Sequence, residues 1–137
     1  MPRIRPVPTA LALCGFLTIC LTPQIASADT SAAVVSRYDK DNDRTLDLAE
    51  VKAAASARFN RLNKDADNTL DIREIEGVIG KNTFAAADTD HDGTLSRDEY
   101  LALVQKLFEQ ADTNHDGKLS AKELSSKTGR MLKRLID

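Results

Sequence analysis

The chain has no tryptophan, two tyrosines, four phenylalanines and two cysteines among its 137 residues. So few aromatic side chains leave only a modest core, built mainly from aliphatic residues. Both cysteines, Cys14 and Cys20, fall in an N-terminal stretch with the marks of a removed leader. Arg3 and Arg5 give it a positive start, Ala10 to Leu21 is apolar, and Ala26-Ser27-Ala28 is a small-residue cleavage site. The apolar run is too short to span a bilayer comfortably, so residues 1–28 are expected to be a signal peptide cut after Ala28. The expected location is the periplasm or the cell exterior, with no membrane attachment once the leader is gone.

What remains, residues 29–137, has no cysteine, which excludes disulfides and thiol chemistry. Losing Arg3 and Arg5 leaves seventeen basic against twenty-one acidic residues, a net charge of −4 in place of −2. That balance, with no basic stripe, argues against a nucleic-acid partner. There is no glycine-rich phosphate loop and no Ser–His–Asp arrangement. The two histidines, His91 and His115, sit in acidic stretches where solvent-facing side chains are expected, so no enzymatic activity is expected.

What is abundant is oxygen at regular spacing. Asp88 to Glu99 reads DTDHDGTLSRDE, with Asp88, Asp90, Asp92, Ser96 and Glu99 at places one, three, five, nine and twelve. Thr94, at the seventh place, offers its backbone carbonyl, and Gly93, at the sixth, permits a positive-φ turn. Six to eight hard oxygens in a flexible shell are what a Ca²⁺-sized cation takes, and this is the spacing of the EF-hand loop. The pattern recurs three times. A first copy is Asp39, Asp41, Asp43, Thr45, Asp47 and Glu50, and a second is Asn63, Asp65, Asp67, Thr69, Asp71 and Glu74. The fourth is Asp112, Asn114, Asp116, Lys118, Ser120 and Glu123, with Lys118 offering its carbonyl. Leucine holds the eighth place throughout, as Leu46, Leu70, Leu95 and Leu119, and is expected to pack on its counterpart in a partner loop. Four copies in register point to metal binding rather than to a solvated charge run.

The loops begin at residues 39, 63, 88 and 112, leaving twelve or thirteen residues between one and the next. One short helix must therefore serve as the exit of one loop and the entry of the next. The expected fold is all-α: a compact EF-hand helical bundle with four metal loops joined by short shared helices. A lead-in helix is expected over 32–38. The first linker, 48–62, and the third, 95–111, each read as one helix by the spacing of their apolar residues. The middle linker, 72–87, contains Gly77 and Gly80, and Asn82 is a candidate cap for a second short helix. A turn there would pair loop two with three and loop one with four. The tail from Ser120 is expected to start as a helix, break at Gly129, and present Met131, Leu132, Leu135 and Ile136 to the core.

Carboxylate count grades the loops. Loop one has five candidate ligand carboxylates, loops two and three have four each, and loop four has three. More converging negative charge favours a trivalent over a divalent ion. Loops three and four, with serine ninth and glycine sixth, look like calcium sites, while Arg44 makes loop one the most strained at its sixth place.

The tight spacing, with KDNDRTLDLAE, NTLDIREIEG, DHDGTLSRDEYLALV and KLSAKEL, resembles the lanmodulin family of periplasmic lanthanide-binding proteins over nearly all of residues 34–137. The resemblance implies a helical bundle that orders on metal binding and prefers rare earths to calcium. The chain departs from that family's frequent second-place proline with Lys40, Lys64, Thr89 and Thr113, and only Asp47 and Asp71 keep an acidic ninth place. Ca²⁺ and trivalent lanthanides both stay open as the ion. A calcium sensor that exposes an apolar face and docks on a protein partner is the alternative to a buffer or carrier.

Overall fold

In a computed structural model the described residues are 28–137, with side chains from Thr30 onward. The expected signal peptide lies outside them except for Ala28. The elements in order are α1 (Ala28–Tyr38), β1 (Thr45–Asp47), α2 (Leu48–Leu62), β2 (Thr69–Asp71) and α3 (Lys81–Ala87). They continue with β3 (Thr94–Ser96), α4 (Arg97–Ala111), β4 (Lys118–Ser120), α5 (Ala121–Leu124) and α6 (Lys127–Ile136). Among the described residues six helices and two minimal sheets make a mostly helical structure, and none of these helices is long and apolar enough to cross a membrane.

Helices α2 and α4 each occupy fifteen residues and begin at a capping box. Asp47 accepts from the Glu50 amide while the Glu50 carboxylate accepts from the Asp47 amide, and Ser96 with Glu99 repeats the exchange. Fifteen residues at 1.5 Å rise carry the chain about 22 Å, from one small sheet to the loop before the other. The two helices pack on each other, and Val51, Ala54, Ala55 and Phe59 of α2 join Tyr100, Leu103, Val104 and Leu107 of α4 in one buried core. The Phe59 and Tyr100 rings meet edge to face with centroids 5.5 Å apart. The Tyr100 hydroxyl donates to the Leu135 carbonyl at 2.7 Å, tying α6 to this pair. Burying a side chain of this size contributes about 1.5–3 kcal/mol.

The sheets join segments distant in sequence. β1 pairs antiparallel with β4, matching Thr45 to Ser120, Leu46 to Leu119 and Asp47 to Lys118. β2 pairs antiparallel with β3, matching Thr69 to Ser96, Leu70 to Leu95 and Asp71 to Thr94. All four leucines are fully buried.

Five local expectations need correction. α1 starts at Ala28, four residues before the expected 32. Leu95 belongs to β3, so the third linker helix starts at Arg97. The residue that caps α3 is Gly80, not Asn82, and it does so without a side-chain bond. The segment 72–80 makes no exit helix although Ile75, Val78 and Ile79 are buried at helical spacing, because Gly77 at φ 82° turns the chain out of the helical region. In the tail the break falls at Ser125–Ser126, and α6 runs straight through Gly129. Ser126 caps α6 by accepting from the Gly129 amide at 2.9 Å. Gly129 is needed for closeness: a Cβ there would lie 2.3 Å from the Glu123 carbonyl oxygen. Leu132, Leu135 and Ile136 are buried as expected of a core face, and Met131 is partly buried.

Candidate metal centres

Each of the four loops is wound by the same backbone device. The sixth places, Arg44, Asn68, Gly93 and Gly117, have φ between 69° and 85°. The fourth places, Asn42, Ala66, His91 and His115, also sit at positive φ, between 58° and 61°. That second left-handed position was missed in the sequence, where only Asn42 gives a hint of it. Both histidines are exposed, as expected.

The first-place side chain holds the loop from within. In loop one Asp39 accepts from the Asn42 amide at 2.7 Å and the Arg44 amide at 2.8 Å. In loop four Asp112 accepts from the amides of Asp116 and Gly117 at 3.2 and 2.9 Å. In loop three Asp88 accepts from Gly93 through Oδ2 at 3.1 Å, while its Oδ1 is buried with no hydrogen-bond partner. The Oδ1 of Asn63, first in loop two, is likewise buried and unpartnered. A buried oxygen without a donor costs about 1–3 kcal/mol, and a cation is what these two could accept.

The fifth-place carboxylates, Asp43, Asp67, Asp92 and Asp116, each accept from the seventh-place amide at 2.8–2.9 Å. The third-place side chains, Asp41, Asp65, Asp90 and Asn114, each accept from the fifth-place amide at 3.2–3.4 Å. At the seventh place the hydroxyls of Thr45, Thr69 and Thr94 turn inward to their own loop's aspartate. Lys118 does not: its ammonium crosses the β1–β4 pair and ion-pairs with Asp43 of loop one.

The twelfth-place glutamate closes every loop by bridging the second- and ninth-place amides. Glu50 takes Lys40 and Asp47 at 2.5 and 3.0 Å, and Glu74 takes Lys64 and Asp71 at 2.7 and 3.3 Å. Glu99 takes Thr89 and Ser96 at 2.7 and 2.9 Å, and Glu123 takes Thr113 and Ser120 at 3.2 and 3.0 Å. The ninth-place side chains of Asp47, Asp71, Ser96 and Ser120 in turn accept from the twelfth-place amide, which makes Asp47, Ser96 and Ser120 the caps of α2, α4 and α5.

These bonds move acidity. The Thr89 amide, then that of Ser96, hold the Glu99 carboxyl near 2, well below its ordinary 4.5. Burial alone would raise Glu123, but the Ser120 and Thr113 donors outweigh it and lower its pKa. The Lys118 ammonium, followed by the Thr45 donors, brings Asp43 down to about 2. Asp41 is raised, first by desolvation and further by its acidic neighbours.

Two groups of carboxylates converge so that one oxygen from each lies within 4.8 Å of the others: Asp39, Asp41 and Asp43 in loop one, and Asp88, Asp90 and Glu99 in loop three. Among the described residues the carboxylates of loops two and four make no such group.

The fold is mostly helical, and its loops are lined with oxygen ligands suited to a hard cation. A family model for the EF hand matches residues 79–104 and 103–126, the segments that carry the third and fourth loops. The two matches support an EF-hand protein, and with the acidic loops they support binding of calcium or a similar metal ion. No curated protein matches the chain.

Proposed function

We propose that the chain is a secreted or periplasmic protein that binds Ca²⁺ or trivalent lanthanide ions through four twelve-residue loops, paired one with four and two with three. The observation that carries the reading is loop three. A matched EF-hand segment there brings Asp88, Asp90 and Glu99 together and leaves a buried Asp88 oxygen without a donor. The donor set fits a hard cation, being all oxygen with no soft ligand.

In this reading Asp88, Asp90, Asp92, the Thr94 carbonyl and Glu99 hold the ion in loop three, with Ser96 at the ninth place. The equivalent residues serve loops one, two and four. A bound cation supplies the positive charge that offsets repulsion between converging carboxylates. Glu99 already stands between the two ends of its loop, so its carboxylate is positioned to exchange amide partners for the ion. Binding stabilises whichever state holds the ion, so metal and folding are coupled. The role is buffering or carrying, with no catalytic step, and the EF-hand matches favour such a non-enzymatic part.

A far-UV circular dichroism titration with buffered Ca²⁺ and then La³⁺ tests the coupling. Helix gain at much lower free La³⁺ supports a lanmodulin-like scavenger; gain at similar free Ca²⁺ supports a calcium protein. An unchanged spectrum with both ions sinks the coupling.

One observation favours the sensor alternative. A groove of about 740 Å³ between α3 and α4, closed by Met131 of α6, has Ala86, Ala102, Leu103 and Leu107 along it and polar residues such as Asn82, Asp98 and Lys106 beside them. Binding of an apolar dye that rises with metal supports docking on a protein partner; binding that ignores metal removes it.

A further inference from the structure

The two small sheets are near copies. Each pairs a threonine with a serine, a leucine with a leucine, and an aspartate with the seventh-place residue of the partner loop. They differ in that last residue. Opposite Asp71 stands Thr94, whose hydroxyl bonds Asp92 of its own loop at 2.7 Å. Opposite Asp47 stands Lys118, whose ammonium reaches into loop one and pairs with Asp43. Asp43 is one of the three carboxylates that converge there.

We propose that Lys118 is a tethered cation that competes with metal for loop one and so sets the affinity of that loop from loop four. The inference rests on the metal-binding reading above. An ammonium on Asp43 neutralises one carboxylate that the ion would use, and it must swing away or stand beside the ion when the loop fills. Lys118 also lies opposite Asp47, so its charge acts on the ninth place as well as the fifth. The side chain is free to do this because loop four uses only the Lys118 backbone: its amide donates to Asp116 at 2.9 Å. The five acidic residues of loop one thus meet, besides the loop's own Lys40 and Arg44, a cation supplied by loop four.

The test follows amide signals during a Ca²⁺ titration of the full chain. Arg44 reports loop one, through its bond to Asp39, and Gly93 reports loop three, through its bond to Asp88. In Lys118→Met the midpoint at Arg44 is expected to fall about three- to tenfold, as for removal of a nearby like charge in a partly exposed site. The midpoint at Gly93 is expected to stay put, and Lys118→Arg is expected to keep both. An unchanged or higher midpoint at Arg44 in Lys118→Met, with Gly93 still responding, overturns the tethered-cation role and leaves metal binding intact. Absence of any response at Arg44 and Gly93 in the unaltered chain overturns the metal-binding reading itself.

Discussion

The β2–β3 end and the β1–β4 end share strand register, buried leucine pairs and loop winding, yet their acidic clusters meet different surroundings. At the β2–β3 end, loop three brings Asp88, Asp90 and Glu99 together, and one Asp88 oxygen has no donor. At the other end, the cluster of Asp39, Asp41 and Asp43 already faces the Lys118 ammonium. The two exits differ as well, since α5 follows β4 but only turns follow β2. A loop motif sets which oxygens converge; the strand across from it sets which charge they meet.

Substituting the buried leucines tests how alike the ends are. Leu95→Ala and Leu119→Ala are each expected to destabilise the chain by about 2–5 kcal/mol, read by denaturant unfolding. A much smaller loss at one end would show that its sheet contributes little to the core. Gly129→Ala is expected to cost about 1–3 kcal/mol through overpacking, and only the β1–β4 end, which holds Glu123 and Leu124, should loosen.

The twelfth-place glutamates come next. Glu99→Gln is expected to weaken Ca²⁺ binding to loop three by about tenfold, because a charged ligand is lost, while Glu50→Gln acts on loop one alone. Calorimetric titration of each variant separates the two. Ala66→Gly is expected to stabilise loop two by about 1 kcal/mol, since alanine at φ 60° carries left-handed strain that glycine avoids.

The smallest effect is in pH. Glu99 is depressed to about 2 from 4.5, so its contribution is complete above its ordinary value and is lost as pH falls through the folded one. Thermal unfolding of the metal-free chain should therefore show stability declining between about pH 5 and pH 2, with a shallower decline in Glu99→Gln. Equal slopes in both would mean that the amide bonds of Thr89 and Ser96 do not stabilise the loop.

Much of this was legible in the sequence because the motif fixes local geometry. The helix 48–62 runs as read, since Asp47 and Glu50 make a capping box and Val51, Ala54, Ala55 and Phe59 fall on one buried face. The paired eighth-place leucines follow from strand alternation once each loop forms. What escaped the reading depended on contacts between distant segments. Gly129 looked like a helix breaker, but its reason is the carbonyl of Glu123 packed against it. Gly80 rather than Asn82 caps α3, with no side-chain bond, two residues ahead of the one whose side chain suggested the cap. The left-handed fourth places were hidden behind Ala66, His91 and His115, residue types that do not advertise positive φ. Lys118 reads as an ordinary carbonyl donor until β4 is laid against β1.

The most direct test of metal binding is a calorimetric titration of the chain with chelator-buffered Ca²⁺, repeated with La³⁺. Saturable binding of more than one ion per chain, weakened in steps by Glu99→Gln and Glu50→Gln, is the predicted result. No saturable binding of either ion would contradict it, leaving the four loops as hydrogen-bonded turns closed by their own glutamates.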